Sequence, residues 1–397
     1  MTRRLPKAFS DSSLRETWRK SRDGRGYKPG GPGIDRVTAD QFGSHLAANL
    51  GRIRRDLGRA EYRLSPLKPH LLAKGDGFRV LAIPTVQDRL VQRAVVEHLD
   101  ADPRFNVATP ISFGFRRGFG IEMAHTRALA LRKLKPWVLK VDIVQFFDRL
   151  DRSILLQKIK PIRSPAIRDL LAQAIASEID KRFALHVAAA EDNGIKVGEG
   201  LRQGMPLSPV LSNLMLKEFD LALNRAGLSV VRYADDIAIF CHSRSGCQAA
   251  LDLVRSELAQ LKLTVPDLGG SKSVIYEPSE DAEFLGLEMR RDAEGYHLIA
   301  PTKKLSKIAE KMRLVASFEE CAKRKRTVGQ VSQTLDAMIA GHRGAVSLVA
   351  NGDDFLGRLI VERKRALNEL LAEILGGDVL NGLSEEKRAI LGFNEFE

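Results

Sequence analysis

Cysteine is scarce: Cys241, Cys247 and Cys321 are the only three in 397 residues. Three thiols cannot build a disulfide framework or a four-cysteine zinc site. No His/Cys cluster stands in for one. Long apolar runs are also missing, and none approaches the roughly 18 residues of a membrane span. The opening Met1-Thr2-Arg3-Arg4-Leu5-Pro6-Lys7 has no apolar core and predicts no secretory signal. Internal repeats are absent. A cytoplasmic protein with no membrane partner is expected. What the chain does have is positive charge, with 63 Lys and Arg against 50 Asp and Glu, a net +13. That surplus points to a polyanionic partner, nucleic acid ahead of an anionic membrane. Hydrophobic content is an ordinary 44%, and the length allows a sizeable core and two or three subdomains.

The densest chemical signal is Val230-Val231-Arg232-Tyr233-Ala234-Asp235-Asp236-Ile237-Ala238-Ile239-Phe240. β-Branched and aromatic residues flank two adjacent carboxylates, which reads as a hairpin with the acids at its turn. Two neighbouring carboxylates repel, so a cation is expected to offset them, and Mg²⁺ suits an all-oxygen set. An isolated Asp-Asp is equally at home in a solvated turn. A second segment, Trp137-Val138-Leu139-Lys140-Val141-Asp142, places another acid at the end of an apolar strand. An uncompensated carboxylate there is costly, and a metal shared with Asp235 removes the difficulty. Asp148, six residues on, is the poorer candidate. The third segment is Gly200-Leu201-Arg202-Gln203-Gly204-Met205-Pro206-Leu207-Ser208-Pro209-Val210-Leu211-Ser212-Asn213, a glycine-bracketed loop running into an apolar helix.

In chain order, the Asp142 strand, the Gln203 loop and then the Tyr233-Ala234-Asp235-Asp236 hairpin, the three segments resemble the palm of a reverse transcriptase, most nearly the bacterial group II intron type. Flanking pieces agree. Phe78 to Gln92 resembles that family's fingers motif, and Gly31-Pro32-Gly33-Ile34-Asp35 its N-terminal glycine element. Ser112-Phe113-Gly114-Phe115-Arg116 resembles a Ser-Tyr-Gly-Phe-Arg segment, and Glu283-Phe284-Leu285-Gly286-Leu287 the primer-grip turn. The resemblance implies an α+β right-hand polymerase fold. Residues 1–30 would be a basic extension that orders on RNA, and residues 31–135 the fingers. Residues 136–300 would be the palm, an antiparallel sheet plus helices, with a helical insert at 161–199. Residues 301–397 would be a helical thumb and short tail. Leu305, Ile308, Met312 and Val315 make one apolar stripe of that thumb. Val328, Val331, Leu335 and Met338 make a second, and Phe355 to Ile374 a third. A generic helical bundle has the same pattern.

The resemblance also implies roles. Asp142, Asp235 and Asp236 are the expected catalytic carboxylates. With Ile143 beside Asp142 they form the expected metal set for two Mg²⁺ ions, with Mn²⁺ as a substitute. Phe147 is the expected ring beneath the sugar, blocking a 2′-hydroxyl and favouring dNTPs; one of Phe146 and Phe147 goes to the core, which leaves a core reading for Phe147 too. Arg79 and Lys74 are the expected triphosphate contacts, Gln203 the loop glutamine near the nascent pair, and Lys272 the lysine facing pyrophosphate. The family usually has Pro before that glutamine; Arg202 stands here and is expected to add a cation near template or nucleotide. Arg116, Arg117 and the loop run Lys323-Arg324-Lys325-Arg326 are the expected RNA contacts, though a loop charge run is as readily just solvated. The arginine series Arg52, Arg54, Arg55, Arg59 and Arg63 reads either as a phosphate track or as a solvated helix face.

The expected partners are an RNA template, dNTPs and nascent DNA, with an oligomer left open. Residues 378–397 are too few for the maturase or endonuclease parts of intron proteins. The Asn-Ala-x-x-His and Val-Thr-Gly elements of retron enzymes are not visible. A stand-alone enzyme of antiviral defence, working with a cognate noncoding RNA, is therefore expected. The alternatives are an intron-derived maturase and a non-catalytic RNA-binding palm.

Overall fold

The computed structural model describes residues 4–22, 30–74, 77–102, 105, 107–270, 272–377, 382, 384 and 387. A 3₁₀ turn at Lys7–Phe9 leads into α1 (Asp11–Arg22), then α2 (Ala39–Ser44) and α3 (Leu46–Gly58). The hairpin β1 (Lys68–Lys74) and β2 (Gly77–Ile83) precedes α4 (Val86–Ala101), α5 (Ile121–Leu134) and β3 (Trp137–Asp142). Helices α6 (Phe146–Arg149), α7 (Arg152–Ile159), α8 (Pro165–Ala176), α9 (Ala184–Asp192) and α10 (Ser208–Arg225) follow. Then come β4 (Ser229–Tyr233), β5 (Asp236–Cys241), α11 (Arg244–Ala259), β6 (Ser273–Tyr276), β7 (Ala282–Phe284), β8 (Leu287–Asp292) and β9 (Gly295–Ile299). The chain continues through α12 (Thr302–Val315), α13 (Phe318–Arg324), α14 (Val328–Val346) and α15 (Gly352–Leu375). This is the α+β class expected. Among the described residues, no helix is long and apolar enough to cross a membrane.

Two compact units emerge. One comprises Met1–Phe119, Val141–Ile237 and Gln248–Ser273; the other comprises Gly120–Lys140, Ala238–Cys247 and Val274–Glu397. Residues 120–140 thus cluster with the second unit rather than with residues 31–119. A four-stranded sheet has the order β4-β5-β3-β6. Its strand β3 buries Val138, Leu139 and Val141. The β-branched and leucine side chains that fill this strand suit a sheet covered on both faces.

In the first unit, the described part of the basic N-terminal stretch carries the 3₁₀ turn and α1. Phe9 and Leu14 are fully buried, and α1 packs on α4. One face of the otherwise charged α1 is covered, burying Leu14, Thr17 and Ser21. The glycine element and the fingers motif meet here. A Cβ on Gly33 would lie 2.6 Å from the Thr85 Cα, so only glycine permits the approach. Arg89 donates to the carbonyls of Gly31 and Pro84, both at 2.8 Å. Thr85 caps α4, and the buried Asp88 carboxylate accepts from Tyr62, Thr85 and the Ser65 amide. The arginines Arg52, Arg54 and Arg55 lie exposed along α3.

In the second unit, β7, β8 and β9 form an antiparallel sheet. Leu285 and Gly286 join β7 to β8 with φ of 51° and 77°. Positive φ at both central residues is the primed turn that matches strand twist. Helices α12, α14 and α15 carry the three expected apolar stripes. Of the charge run expected in a loop, Lys323 and Arg324 end the additional short helix α13, which the Ser317 hydroxyl caps at the Glu320 amide, while Lys325 and Arg326 lie past its end. Ser317-Phe318-Glu319-Glu320 is a local start signal that outweighs the weak apolar periodicity.

Candidate active site

Strand β4 ends at Tyr233 and β5 begins at Asp236, so Ala234 and Asp235 form the turn. Ala234 sits in the left-handed region at φ 58°. That conformation costs a non-glycine residue about 1–2 kcal/mol and must be held by its surroundings. Arg232 does so from beneath. Its Nη1 donates to the Ala234 carbonyl at 2.9 Å and to Asn213 Oδ1 at 3.3 Å. Its Nε and Nη2 reach Asp220 at 2.6 and 2.5 Å, and both partners are 0% exposed. Thr109 donates a further bond to Asp220, and Asn213 donates to the Gly114 carbonyl. Ser112 bridges Arg232 in parallel: Arg232 N donates to Ile111 O and Phe113 N to Arg232 O, each at 2.8 Å. A Cβ on Gly114 would lie 2.5 Å from the Ala234 nitrogen. The turn is thus clamped by a buried ion pair on one side and a glycine backbone on the other.

The end of β3 lies against this turn, with the Ile143 amide donating to the Asp235 carbonyl at 3.3 Å. Asp142 accepts from the Lys272 ammonium at 3.1 Å. Among the described residues, no three His, Cys, Asp or Glu side chains converge into a formed metal cage. The donor types nevertheless suit a hard divalent cation, since Asp142, Asp235 and Asp236 offer oxygen alone.

Beyond β3, Gln145 opens α6 in the left-handed region at φ 46°. Phe146 is buried and Phe147 half-buried, its ring edge-on to Phe115 with centroids 6.2 Å apart. The Leu201 amide donates to the Phe147 carbonyl at 2.7 Å. Two residues on, the Gln203 carbonyl accepts from Ala82 N, also at 2.7 Å. Gly204 allows that approach: its φ is 112°, and a Cβ there would lie 2.7 Å from the Ala82 oxygen. Arg202 departs from expectation. It is 3% exposed and bound to Glu178 at 2.6 Å, so its charge is neutralised inside the protein rather than offered to template or nucleotide. Burial of a guanidinium demands such a partner.

Residues 71–289 match the family model described as Reverse transcriptase (RNA-dependent DNA polymerase). The chain belongs to the reverse transcriptase family. The matched span contains the turn, the end of β3 and the Gln203 loop. Protein YkfC of Escherichia coli (strain K12) is 32% identical over 206 residues, which is 50% of this chain and 51% of that protein. The retron Ec83 reverse transcriptase of Escherichia coli is 23% identical, covering 54% of this chain and 64% of the relative. The group II intron-encoded protein LtrA of Lactococcus lactis subsp. cremoris is 29% identical, covering 47% and 30%. The chain therefore spans about half the length of the first of these relatives and less than two thirds of the others. Enzymes of the family generally use divalent metal ions.

The remaining predicted residues fall in different places. Arg79 is exposed on β2, opposite Leu72. Lys74 ends β1, and its side chain lies outside the described residues. The Arg116 guanidinium donates to the Thr109 and Ser112 carbonyls and lies 3.8 Å from the Phe119 ring centroid; Arg117 is exposed. Lys323 and Arg324 lie in the last turn of α13, Arg324 pairs with Glu320, and Lys325 caps the helix at φ 52°. Arg326 follows, its amide bonded to the Cys321 carbonyl. Sequence reading missed Asn213, Asp220, Arg232 and Glu178 as supports of the site. The available signal was an arginine inside an apolar strand and an aspartate inside an apolar helix, each of which needs a buried partner.

Proposed function

We propose that the protein is an RNA-directed DNA polymerase that adds dNTPs by a two-metal mechanism, with Asp142, Asp235 and Asp236 as its catalytic carboxylates. The observation that carries this reading is the contact between the end of β3 and the clamped Tyr233–Asp236 turn, which sets the three acids on adjoining backbone within the family match. Two divalent ions, Mg²⁺ or Mn²⁺ in its place, supply activation of the primer hydroxyl and neutralisation of the leaving pyrophosphate when bound. Asp142, Asp235, Asp236 and the Ile143 backbone are the groups that hold them. Lys272 balances the charge of Asp142 until then, and moving off frees a cation for the pyrophosphate. Phe147 excludes a 2′-hydroxyl, while Gln203 lines the nascent pair and Arg79 with Lys74 grips the triphosphate.

In this reading residues 31–135 serve as fingers, 136–300 as palm with the insert 161–199, and 301–397 as thumb. Arg116, Arg117 and Lys323 to Arg326 face the nucleic acid. The template is RNA, a cognate noncoding RNA in antiviral defence within the cytoplasm, and the product is DNA. The test is the double variant Asp235→Ala, Asp236→Ala. It is expected to abolish Mg²⁺-dependent dNTP incorporation on a primed RNA while leaving RNA binding intact. Retained synthesis overturns the carboxylate assignment.

A further inference from the structure

We infer that Glu178 is a positioning residue for the nucleotide pocket, acting through Arg152 and Arg202. The inference rests on the polymerase reading above. Glu178 follows α8. Its two carboxylate oxygens are divided between two arginines. Oε1 accepts from Arg152 Nη1 at 2.8 Å and from the Gly198 amide at 2.8 Å. Oε2 accepts from Arg202 Nε at 2.9 Å and Nη2 at 2.6 Å.

Each arginine passes the constraint to the loop that ends at Gln203. Arg202 Nη2 donates to the Lys196 carbonyl at 2.6 Å, and Arg152 Nε donates to the Gly200 carbonyl at 2.8 Å. Gly198 and Gly200 both have positive φ, so this loop has little intrinsic preference for one shape. The same short loop bears Gln203 and touches the backbone of Phe147, the two residues assigned to nucleotide selection. Leu201 N holds the Phe147 carbonyl, and the Gln203 carbonyl holds Ala82. A single carboxylate therefore locks the backbone that sets the sugar gate and the base-pair glutamine. Side chains one step removed from the reacting groups commonly change function tenfold or more through such locking.

Glu178→Gln preserves size and removes the charge. The expected result is a rise of about tenfold in the KM for dNTPs and a several-fold drop in the dNTP/NTP preference, with kcat within about twofold. RNA affinity stays unchanged, and amide exchange at Leu201 accelerates. Arg152→Lys, which keeps the cation but loses the planar fork, is expected to move the same quantities by less. Binding of a fluorescent 2′-deoxynucleotide and its ribo counterpart gives the same ratio without turnover. A wild-type protein that binds dNTPs but makes no DNA sinks the polymerase reading and leaves this inference to the binding ratio. A wild-type protein that does neither overturns both. A folded Glu178→Gln protein with unaltered ratio, or with kcat alone reduced, overturns the positioning role. So does loss of folding in both variants, which makes the cluster a general core element.

Discussion

Phe147 and Arg232 have opposite fates at the residue scale, one half-buried and the other wholly buried. Phe147 keeps part of its ring exposed because Phe146 takes the core position. Under the polymerase reading, Phe147→Ala opens room for a 2′-hydroxyl. NTP incorporation relative to dNTP is expected to rise by about one to two orders of magnitude, since one steric contact carries roughly 1–3 kcal/mol of discrimination. An unchanged ratio in single-nucleotide extension counts against the gate. Arg232 is wholly internal. Removing one partner of a buried ion pair strands the other, so Arg232→Ala is expected to destabilise the fold by about 3–5 kcal/mol. Replacing both partners, Arg232→Met with Asp220→Leu, is expected to recover much of that loss while leaving the Ala234 carbonyl without its donor. Denaturant midpoints of the single and double variants measure the first effect.

At the element scale, the β7–β8 hairpin depends on a histidine from α5. His125 Nε2 lies 3.2 Å from the Phe284 carbonyl, and burial lowers the imidazole pKa to about 4. Released on unfolding, the same group takes up a proton near its ordinary value of 6.5. Between these values the unfolded chain binds more protons, so stability is complete above pH 6.5 and falls as the pH drops toward 4. The loss across that window is expected to reach about 3 kcal/mol. His125→Gln is expected to flatten this part of the profile, read as denaturant midpoints at neutral pH and near pH 4.5. An equal slope in the variant assigns the acid sensitivity elsewhere. Elements also show where local signals suffice. The strands on either side of the Ala234-Asp235 turn are plain from their β-branched residues. Helix α13 is not, because seven residues give too little periodicity and its cap outweighs its pattern.

For the whole molecule, the net charge of +13 sets the ionic character of binding. Each phosphate neutralised releases counterions, so affinity for RNA is expected to fall at least about a hundredfold between about 50 and 200 mM salt. A flat response in filter binding across that range argues against the basic surface as the RNA site. The same charge did not reveal which cations are free. Arg202 and Arg232 count toward the net charge as fully as any surface lysine, yet both are consumed internally. Arg116 spends its guanidinium on carbonyls of its own segment.

By itself the sequence determined the α+β class, the hairpin that presents Asp235 and Asp236, the strand that ends at Asp142, and the family they belong to. These are properties of short segments, written in alternation, turn chemistry and motif order. The tertiary structure alone decided what holds them. It brought Gly33 onto Thr85, Gly114 onto Ala234, Lys272 onto Asp142 and Glu178 between Arg152 and Arg202. A charge in a sequence carries no mark of its partner, because pairing depends on which distant segments fold together and on how little water remains between them.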